Sequence, residues 1–254
     1  MISKQAVYEY IKVKKNVSTE EICTAFNISE STARRALQKL ELQKKIRRYH
    51  GGACFLENNL GFLENEVHAR IERNWPQKLA IAREACELIR DDTTVIMLGG
   101  TTVYAMCTFL KRRRLKIITN SLIVLSELYK DKDIRLILLG GLFNTNEFEV
   151  GGVLTNIGMQ HIRADYLFMG AMSFNEKQGF TTEDLESLSL YQACISSSYK
   201  VYVLADSSKY GGQGTGVVAA PKDVTGLITD NGLDADVIKL LLDKGMKTII
   251  SKKI

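Results

Sequence analysis

The sequence has few of the residues that indicate a secreted, metal-bound or membrane protein. Its 254 residues include two prolines, one tryptophan and three histidines. No apolar run approaches the ~18–20 residues that span a bilayer, and the first residues are too charged for a signal peptide. The cysteines form no C-x-x-C pair and no metal-ligand spacing, which favours buried thiols in a reducing cytoplasm over disulfides or zinc. They lie at positions 23, 54, 86, 107 and 194.

We therefore expect a cytoplasmic protein with no metal, no cofactor and no membrane partner. The composition, 45% hydrophobic and 25% charged, excludes wholesale disorder and is typical of a globular chain. The length fits one large domain, or one ordinary domain with a small module.

The positive charge is confined to one end of the chain. Of 34 Lys and Arg and 29 Asp and Glu, residues 1–57 contain 11 and 6, a net charge of +5, and residues 58–254 contain 23 of each. A basic segment on a neutral body favours a polyanionic partner for that segment. We expect a small basic domain over 1–57, a linker over 58–73 and a larger neutral domain over 74–254.

The basic segment has the pattern of three short helices. A first helix is expected over about 3–14, and Ser18 or Thr19 is placed to cap a second. Asn27 tolerates the left-handed turn before a third helix, which Ser29 caps. Helix, short turn and helix predict a helix-turn-helix whose second helix enters the major groove. The candidate DNA-contacting residues here are Ser29, Ser31, Thr32, Arg34, Arg35 and Gln38.

The next segment, KKIRRYHGGA, has the pattern of a small basic β-wing. Gly51 and Gly52 allow a tight reversal, and the cations before them can reach the DNA backbone. The alternative is a solvated helical hairpin whose charges have no partner. The candidate phosphate contacts are Lys44, Lys45, Arg47, Arg48 and His50.

The rest of the chain alternates short apolar runs with helical patterns. Continuous apolar strands separated by helices predict a doubly wound α/β domain with a mostly parallel sheet. The expected strands are 93–98, 115–119, 134–140, 166–170, 200–205, 224–229 and 247–251.

Small and polar residues follow five of these strands. In a doubly wound sheet the ligand lies beyond the carboxyl ends of the strands, where glycine lets the backbone approach an anion and hydroxyl groups donate to it. We expect a small phosphorylated or carboxylated metabolite there; the alternative is that the loops are only strand-to-helix turns. The candidate effector contacts are Gly99, Gly100, Thr101, Thr102, Asn120, Ser121, Gly140, Gly141, Gly170, Asp206 and Lys209.

The basic segment resembles the winged helix-turn-helix of the DeoR family of bacterial transcriptional regulators. Ala36 stands where an aspartate is usual in the family, and Lys44 or Lys45 where a glycine is usual. The residues that fit the family pattern are Ser29, Thr32, Arg34, Arg35, Leu37, Leu40, Arg48, His50, Gly51, Gly52 and Ala53.

The second part is similar to the effector domain of the same family, whose fold is that of ribose-5-phosphate isomerases. The resemblance implies a regulator, expected to be a repressor of a carbohydrate operon, that binds operator DNA as a homodimer or homotetramer and responds to a phosphorylated sugar or sugar acid. The matching stretches are 78–82, 100–102, 119–121, 140–141, 164–165, 179–182, 206–209 and 228–230, and they add Asp165 as a candidate effector contact.

Three departures from the family concern the ligand. Leu98 stands where an acidic residue is frequent, Asn144 where an arginine is frequent, and Tyr191 near a usual lysine. Asn144 and Tyr191 are therefore candidate contacts with neutral donors, which bind anions more weakly than charged ones. The form of 140–144 resembles the branch that responds to ascorbate 6-phosphate. A constitutive regulator with a vestigial sensor remains an alternative.

An enzyme is the competing class. Asp206 and Lys209 could act as an acid–base pair, as in the isomerase relatives, but Leu98 removes a carboxylate that could serve as the base. We expect no catalytic residues. The cation run 111–114 is interpreted as a solvated helix end, with an oligomer contact as the alternative.

Overall fold

A computed structural model describes residues 4–42, 45–49, 51–55 and 65–252. The chain divides into two compact units, Met1–Pro76 and Gln77–Ile254. None of the helices in the described ranges has the length and hydrophobicity needed to cross a bilayer.

The N-terminal unit combines helices with a small antiparallel sheet of strand order β1–β3–β2. Its core is formed by apolar side chains from all three strands and from the first three helices. The elements are α1 (Lys4–Lys14), β1 (Asn16–Ser18), α2 (Thr19–Phe26), α3 (Glu30–Leu42), β2 (Ile46–Tyr49), β3 (Gly52–Phe55) and α4 (Asn65–Glu72).

The turn between α2 and α3 forms as the sequence predicts. Ser18 caps α2: its Oγ accepts a hydrogen bond from Glu21 N at 2.9 Å, and the Glu21 carboxylate accepts one from Ser18 N at 2.7 Å. These reciprocal bonds satisfy two donors that the helix itself leaves open. Asn27 ends α2 in the left-handed conformation, with φ 48°. The predicted helix-turn-helix is therefore confirmed.

The predicted wing is also confirmed, and β1 adds a third strand to it. Gly51 turns the chain with φ 95°. Gly52 must be glycine because a side chain there would overlap the Val17 carbonyl and the Tyr49 ring. Tyr49 Oη donates to Asn16 Oδ1 at 2.7 Å, which fixes β2 across the sheet to β1.

The second unit is built on a seven-stranded parallel sheet, as the apolar runs predict. All six neighbouring strand pairs are parallel. In spatial order the strands are β15 (Thr248–Ile250), β14 (Gly226–Thr229), β12 (Ser198–Leu204), β9 (Ala164–Gly170), β4 (Thr93–Met97), β5 (Leu115–Thr119) and β6 (Ile134–Leu138).

The sheet is covered on both faces and reverses its winding at its centre. Val95, Ile96 and Met97 are successive and fully buried, and successive strand residues point to opposite faces. From β4 the chain adds β5 and β6 on one side, then returns to add β9, β12, β14 and β15 on the other. The point between β4 and β9 is therefore the topological switch point, where such sheets bind ligands.

Helices and two small β structures complete this unit. The hairpin β7–β8 and the antiparallel sheet β10–β11–β13 are elements that the sequence interpretation did not include. The helices are α5 (Trp75–Glu87), which contains the division between the units, α6 (Thr101–Ala105), α7 (Cys107–Leu110), α8 (Leu122–Leu128), α9 (Val153–Met159), α10 (Leu188–Ser196) and α11 (Ala235–Asp243). The strands are β7 (Leu142–Asn144), β8 (Glu149–Gly151), β10 (Ser173–Asn175), β11 (Gly179–Thr182) and β13 (Gly216–Ala219).

Three side chains of the cation run 111–114, those of Lys111, Arg113 and Arg114, are paired with acidic groups of their own unit. Lys111 lies 3.6 Å from Glu127, and Arg114 makes a 2.8 Å ion pair with Asp92. Arg113 pairs with Asp91 and also donates to Cys86 O and Ile89 O, at and just beyond the carboxyl end of α5. These contacts give the run an intramolecular role at the start of β5.

Candidate functional site

The exposed face of α3 carries the polar residues expected to meet DNA. Ala33, Leu37 and Leu40 are buried on the opposite face. Ser29 precedes the helix and lies 3.0 Å from Thr32 Oγ1, so its hydroxyl supports the first turn. The candidates that remain exposed are Ser29, Ser31, Thr32, Arg34, Arg35 and Gln38.

The two arginines of α3 differ in their surroundings. Arg34 forms a 2.6 Å ion pair with Glu30 one turn earlier, and both side chains are more than 60% exposed. Such a surface pair contributes little energy and can be exchanged for a DNA contact. Arg35 is exposed, with no ion pair or hydrogen bond from its side chain to any described residue. Its five donors are therefore available to a base edge or a phosphate.

The wing is tied to α3 through Arg48. Arg48 Nη1 lies 3.5 Å from Glu41 Oε2, and its backbone N donates to Glu41 Oε1 at 3.2 Å. Lys45 Nζ lies over the Tyr8 ring at 5.2 Å, so its stem follows α1 while its charge remains half-exposed. Lys44 and His50, also predicted as phosphate contacts, lie outside the described residues.

The prediction that Arg47 contacts phosphate is wrong. Arg47 is only 2% exposed, and its guanidinium lies over the Trp75 ring at 5.9 Å. It also faces α4: the pKa of His68 is lowered, first by burial and then by the Arg47 charge. The cause is tertiary: Arg47 and its neighbour Ile46 are both buried, because the face of β2 that Arg47 occupies is covered by the Trp75 ring and is not open to solvent.

We expect Arg47→Met to leave DNA binding unchanged. Arg47 Nε and Nη2 are buried with no hydrogen-bond partner among the described residues, and an apolar side chain of similar size in place of such a charge is often neutral or stabilising. Arg48→Met should instead remove one phosphate contact, so that the slope of log affinity against log salt concentration becomes shallower by about one. Fluorescence anisotropy with one labelled duplex at several salt concentrations measures both slopes; equal losses in the two variants would contradict the burial of Arg47.

The loops predicted to form the effector site lie together at the carboxyl edge of the sheet, because every strand runs in the same direction. At the switch point, a Cβ on Gly100 would lie 3.8 Å from Gly170 Cα, so these two loops are adjacent. Gly100 has φ 116° and begins the short helix α6. Of the two threonines that follow, Thr101 is half-buried and Thr102 is buried.

Asn120 holds this edge together through hydrogen bonds to neighbouring loops. Its Oδ1 accepts a hydrogen bond from Gly99 N at 3.0 Å, and its Nδ2 donates to Glu149 Oε2 and to Val150 O, each at 3.2 Å. The side chain is 3% exposed, and both amide protons are used within the protein. Ser121 is also fully buried, in a bridge to Glu149 on β8.

The loop after β6 is closed by the hairpin β7–β8 and the helix α9 that follow it. Thr155 Oγ1 donates to Gly140 O at 2.8 Å, and a side chain at Gly141 would overlap Thr155 and the Gly151 carbonyl. Gly141 therefore serves close packing. Asn144 is exposed, and its Oδ1 closes the hairpin turn by accepting from Asn146 N and Glu147 N.

The Asp206 side chain supports its own loop. The Asp206 carboxylate is 2% exposed and accepts hydrogen bonds from Ser208 N and Ser208 Oγ. Ser207 N donates to Asp230 Oδ1 at 2.6 Å, which joins the loops after β12 and β14. Lys209 ends the short helix in this loop and is half-buried.

The prediction that Asp165 contacts the effector is wrong. It is the second residue of β9 and accepts a hydrogen bond from Thr94 N at 2.8 Å at the start of β4. Because the strands are parallel, this pair lies at the amino edge of the sheet, the edge opposite to the ligand loops. The match of Asp165 to the family pattern is therefore explained by the hydrogen bond with which it joins the starts of β9 and β4.

Glu149 is a residue of the site that the sequence interpretation missed. A side chain at Gly99 would overlap the Glu149 carboxylate, so this group lies directly against the first glycine of the switch-point loop. The signal was present as an apolar–polar alternation around the NTNEF turn, typical of a hairpin. Tyr191, on α10, faces the same region: burial raises its pKa, and the nearby Glu149, Asp184 and Glu147 carboxylates raise it further.

Comparison with known proteins agrees with both units. The DeoR-like helix-turn-helix domain matches residues 4–59, and the DeoR C terminal sensor domain matches residues 73–231. The regulator GolR of Listeria innocua is 31% identical over 237 residues, covering 93% of this chain and 92% of GolR. The glycerol-3-phosphate regulon repressor of Escherichia coli K12 is 29% identical over 238 residues, covering 93% of each.

The comparison with solved structures concerns the fold alone. Ribose 5-phosphate isomerase A from Methanocaldococcus jannaschii is 18% identical, covers 52% of this chain and 53% of its own, and has a TM-score of 0.38. The family matches together span most of the sequence and correspond to the helix-turn-helix and the parallel-sheet unit described above. This chain belongs to the DeoR family of transcriptional regulators.

Proposed function

We propose that this protein is a repressor of a carbohydrate-utilisation operon whose DNA binding is controlled by a phosphorylated sugar or sugar acid. The observation that carries the proposal is the pairing, in one chain, of an exposed polar recognition helix with a glycine-lined switch point in a separate parallel-sheet unit. The names of the relatives support it, since one of them represses a glycerol-3-phosphate regulon.

On the DNA side, α3 supplies base readout and the wing supplies backbone contacts. Arg35 can donate two hydrogen bonds to the O6 and N7 atoms of a guanine, the commonest specific contact in the major groove. Ser31, Thr32 and Gln38 offer shorter polar groups on the same face. Lys45 and Arg48 neutralise phosphates and contribute to affinity without reading sequence.

On the sensor side, the loops after β4 and β9 form the centre of the ligand site. Gly100 and Gly170 leave room for a ligand to approach the backbone, and Thr101 can donate a hydroxyl. A ligand changes DNA affinity only by binding the two conformations of the protein unequally. Typical coupling energies are ~1–3 kcal/mol.

The repressor is proposed to act as a homodimer or homotetramer. Two recognition helices can then occupy half-sites about one helical turn apart, or a multiple of it. Sedimentation of the chain with and without duplex DNA tests this: a monomer that binds one half-site with full affinity would contradict the proposal.

Two linked measurements test the proposed function. Duplexes selected by the full-length protein from a random pool should share a motif, and a panel of sugar phosphates and sugar-acid phosphates should include one that raises the melting temperature of the free protein. That compound should also release the selected duplex. A motif whose affinity no panel member alters, with no thermal shift, would favour a constitutive regulator.

The competing enzyme function predicts turnover. Leu98 is 2% exposed and packs in the core, so the base would have to be another group, such as Glu149. Incubation with ribose 5-phosphate and an amino-sugar phosphate, followed by product analysis, separates the two functions. We expect no product above the no-protein control.

A further inference from the structure

The Glu149 carboxylate occupies the space above Gly99 at the switch point. Any side chain at position 99 would overlap its carboxylate atoms, so this group is in van der Waals contact with the loop backbone. Gly99 directly follows Leu98, where the strand β4 has ended. A ligand that enters between the β4 and β9 loops therefore meets this carboxylate.

The carboxylate is held in place from several directions. Asn120 Nδ2 donates to its Oε2 at 3.2 Å, while Asn120 Oδ1 accepts from Gly99 N. The backbone on either side of Glu149 is also fixed, since Leu122 N donates to Phe148 O at 2.9 Å and Val150 N donates to Asn120 O at 2.8 Å. Both residues that flank Glu149 are hydrogen-bonded to the segment that follows β5. The backbone at Glu149 is therefore fixed before a ligand binds, and Glu149 is part of the site.

The surroundings of Glu149 are acidic on the side of α10. Tyr191 is packed against the core. Burial raises the pKa of its hydroxyl most, and the nearby carboxylates of Glu149, Asp184 and Glu147 raise it further. A second negative charge at this corner would be repelled by Glu149 at short range. A hydroxyl group would instead donate a hydrogen bond to a charged acceptor, one of the stronger kinds of hydrogen bond.

We propose that Glu149 determines ligand specificity by accepting a hydrogen bond from a hydroxyl group of the effector and excluding an anionic group above Gly99. This inference rests on the proposed function. It adds that the effector has one anionic group, which binds away from Gly99, and a polyhydroxylated portion that faces Glu149. A phosphorylated sugar then fits the site, and a phosphorylated sugar acid, with its additional carboxylate, does not.

The test compares a hexose 6-phosphate with the corresponding hexonic acid 6-phosphate on the full-length protein. Isothermal titration of wild type, Glu149→Gln and the exposed control Glu87→Gln gives the ratio of the two dissociation constants. Glutamine keeps the oxygen that Asn120 bonds but removes the charge. We expect wild type and Glu87→Gln to prefer the sugar phosphate by about tenfold or more, and Glu149→Gln to lose most of that preference.

The outcomes separate this inference from the proposed function. If the ratio of the two dissociation constants is the same in wild type and Glu149→Gln, or if wild type prefers the acid, the specificity role is overturned while ligand sensing stands. If wild type binds neither compound but binds another sugar phosphate of the panel, that compound and its aldonic acid replace the pair and the same ratio decides. If wild type binds no sugar phosphate of the panel, both proposals are overturned. A purely structural role of Glu149 would weaken binding of both compounds equally and leave the ratio unchanged, which also overturns the inference.

Discussion

Arg35→Ala should abolish most of the sequence-specific DNA binding while the protein remains folded. Arg35 is exposed on α3 with no bond from its side chain within the described part of the chain, so its removal costs the fold nothing and leaves a base edge without its donors. A bidentate arginine–guanine contact contributes ~1–3 kcal/mol of discrimination, which corresponds to a loss of about 5- to 150-fold. Anisotropy with the selected duplex and a scrambled duplex measures both affinities.

The matched control is Arg163→Ala, which removes an exposed arginine of the second unit. We expect it to bind both duplexes like wild type. On the selected duplex, the affinity of Arg35→Ala should fall toward its affinity for the scrambled duplex. Its affinity for the scrambled duplex should stay close to that of wild type, because non-specific binding depends on the summed charge. Equal losses on both duplexes would show that Arg35 contacts only phosphate, and no loss on either would remove α3 as the reading helix.

Asn120→Asp should strongly destabilise the sensor unit at neutral pH. The new carboxylate would lie at the position from which Asn120 Nδ2 now donates to Glu149 Oε2 at 3.2 Å. Two carboxylates held this close together repel each other when both are ionised, so the pKa of one of them is raised in the folded state. We expect a loss of ~3 kcal/mol, or about 6–12 °C in the melting temperature of this unit.

The sign of the pH dependence follows from the raised pKa. An acid that holds its proton more tightly when folded destabilises the protein above its unfolded pKa of about 4, so the deficit should shrink as the pH falls toward 5. The double variant Asn120→Asp/Glu149→Gln should recover most of the stability, since the glutamine amide can donate to the new carboxylate. A double variant as unstable as the single one would mean that the Asn120–Glu149 contact is not what fixes this edge.

The regular elements could be predicted from sequence because their signals are local. Ser18 with Glu21, Asn27 and the Gly51–Gly52 pair each act within a few residues, and they define the helix ends and the wing turn. The seven strands were visible as apolar runs because both faces of the sheet are buried. Strand β1, of three residues, gave no such signal, since its pairing with β3 depends on a partner more than thirty residues away.

The site residues were predicted less well because their roles depend on which side a residue faces and which end of a strand it occupies. Arg47 and Arg48 are equally basic in sequence, yet one is buried beneath Trp75 and the other faces Glu41. Asp165 lies on a ligand-site strand but at its wrong end. Glu149 enters the site from a hairpin inserted between β6 and α9, and its contact with Gly99 spans fifty residues of sequence.

The most direct test of the central claim is a pair of affinities measured on the same protein. The dissociation constant of the selected duplex is determined with and without a saturating sugar phosphate from the panel, and that of the sugar phosphate with and without saturating duplex. Because coupling between two sites is reciprocal, we predict that both constants rise by the same factor, about 5- to 150-fold. A sugar phosphate that binds with one affinity whether or not the duplex is present would contradict the account.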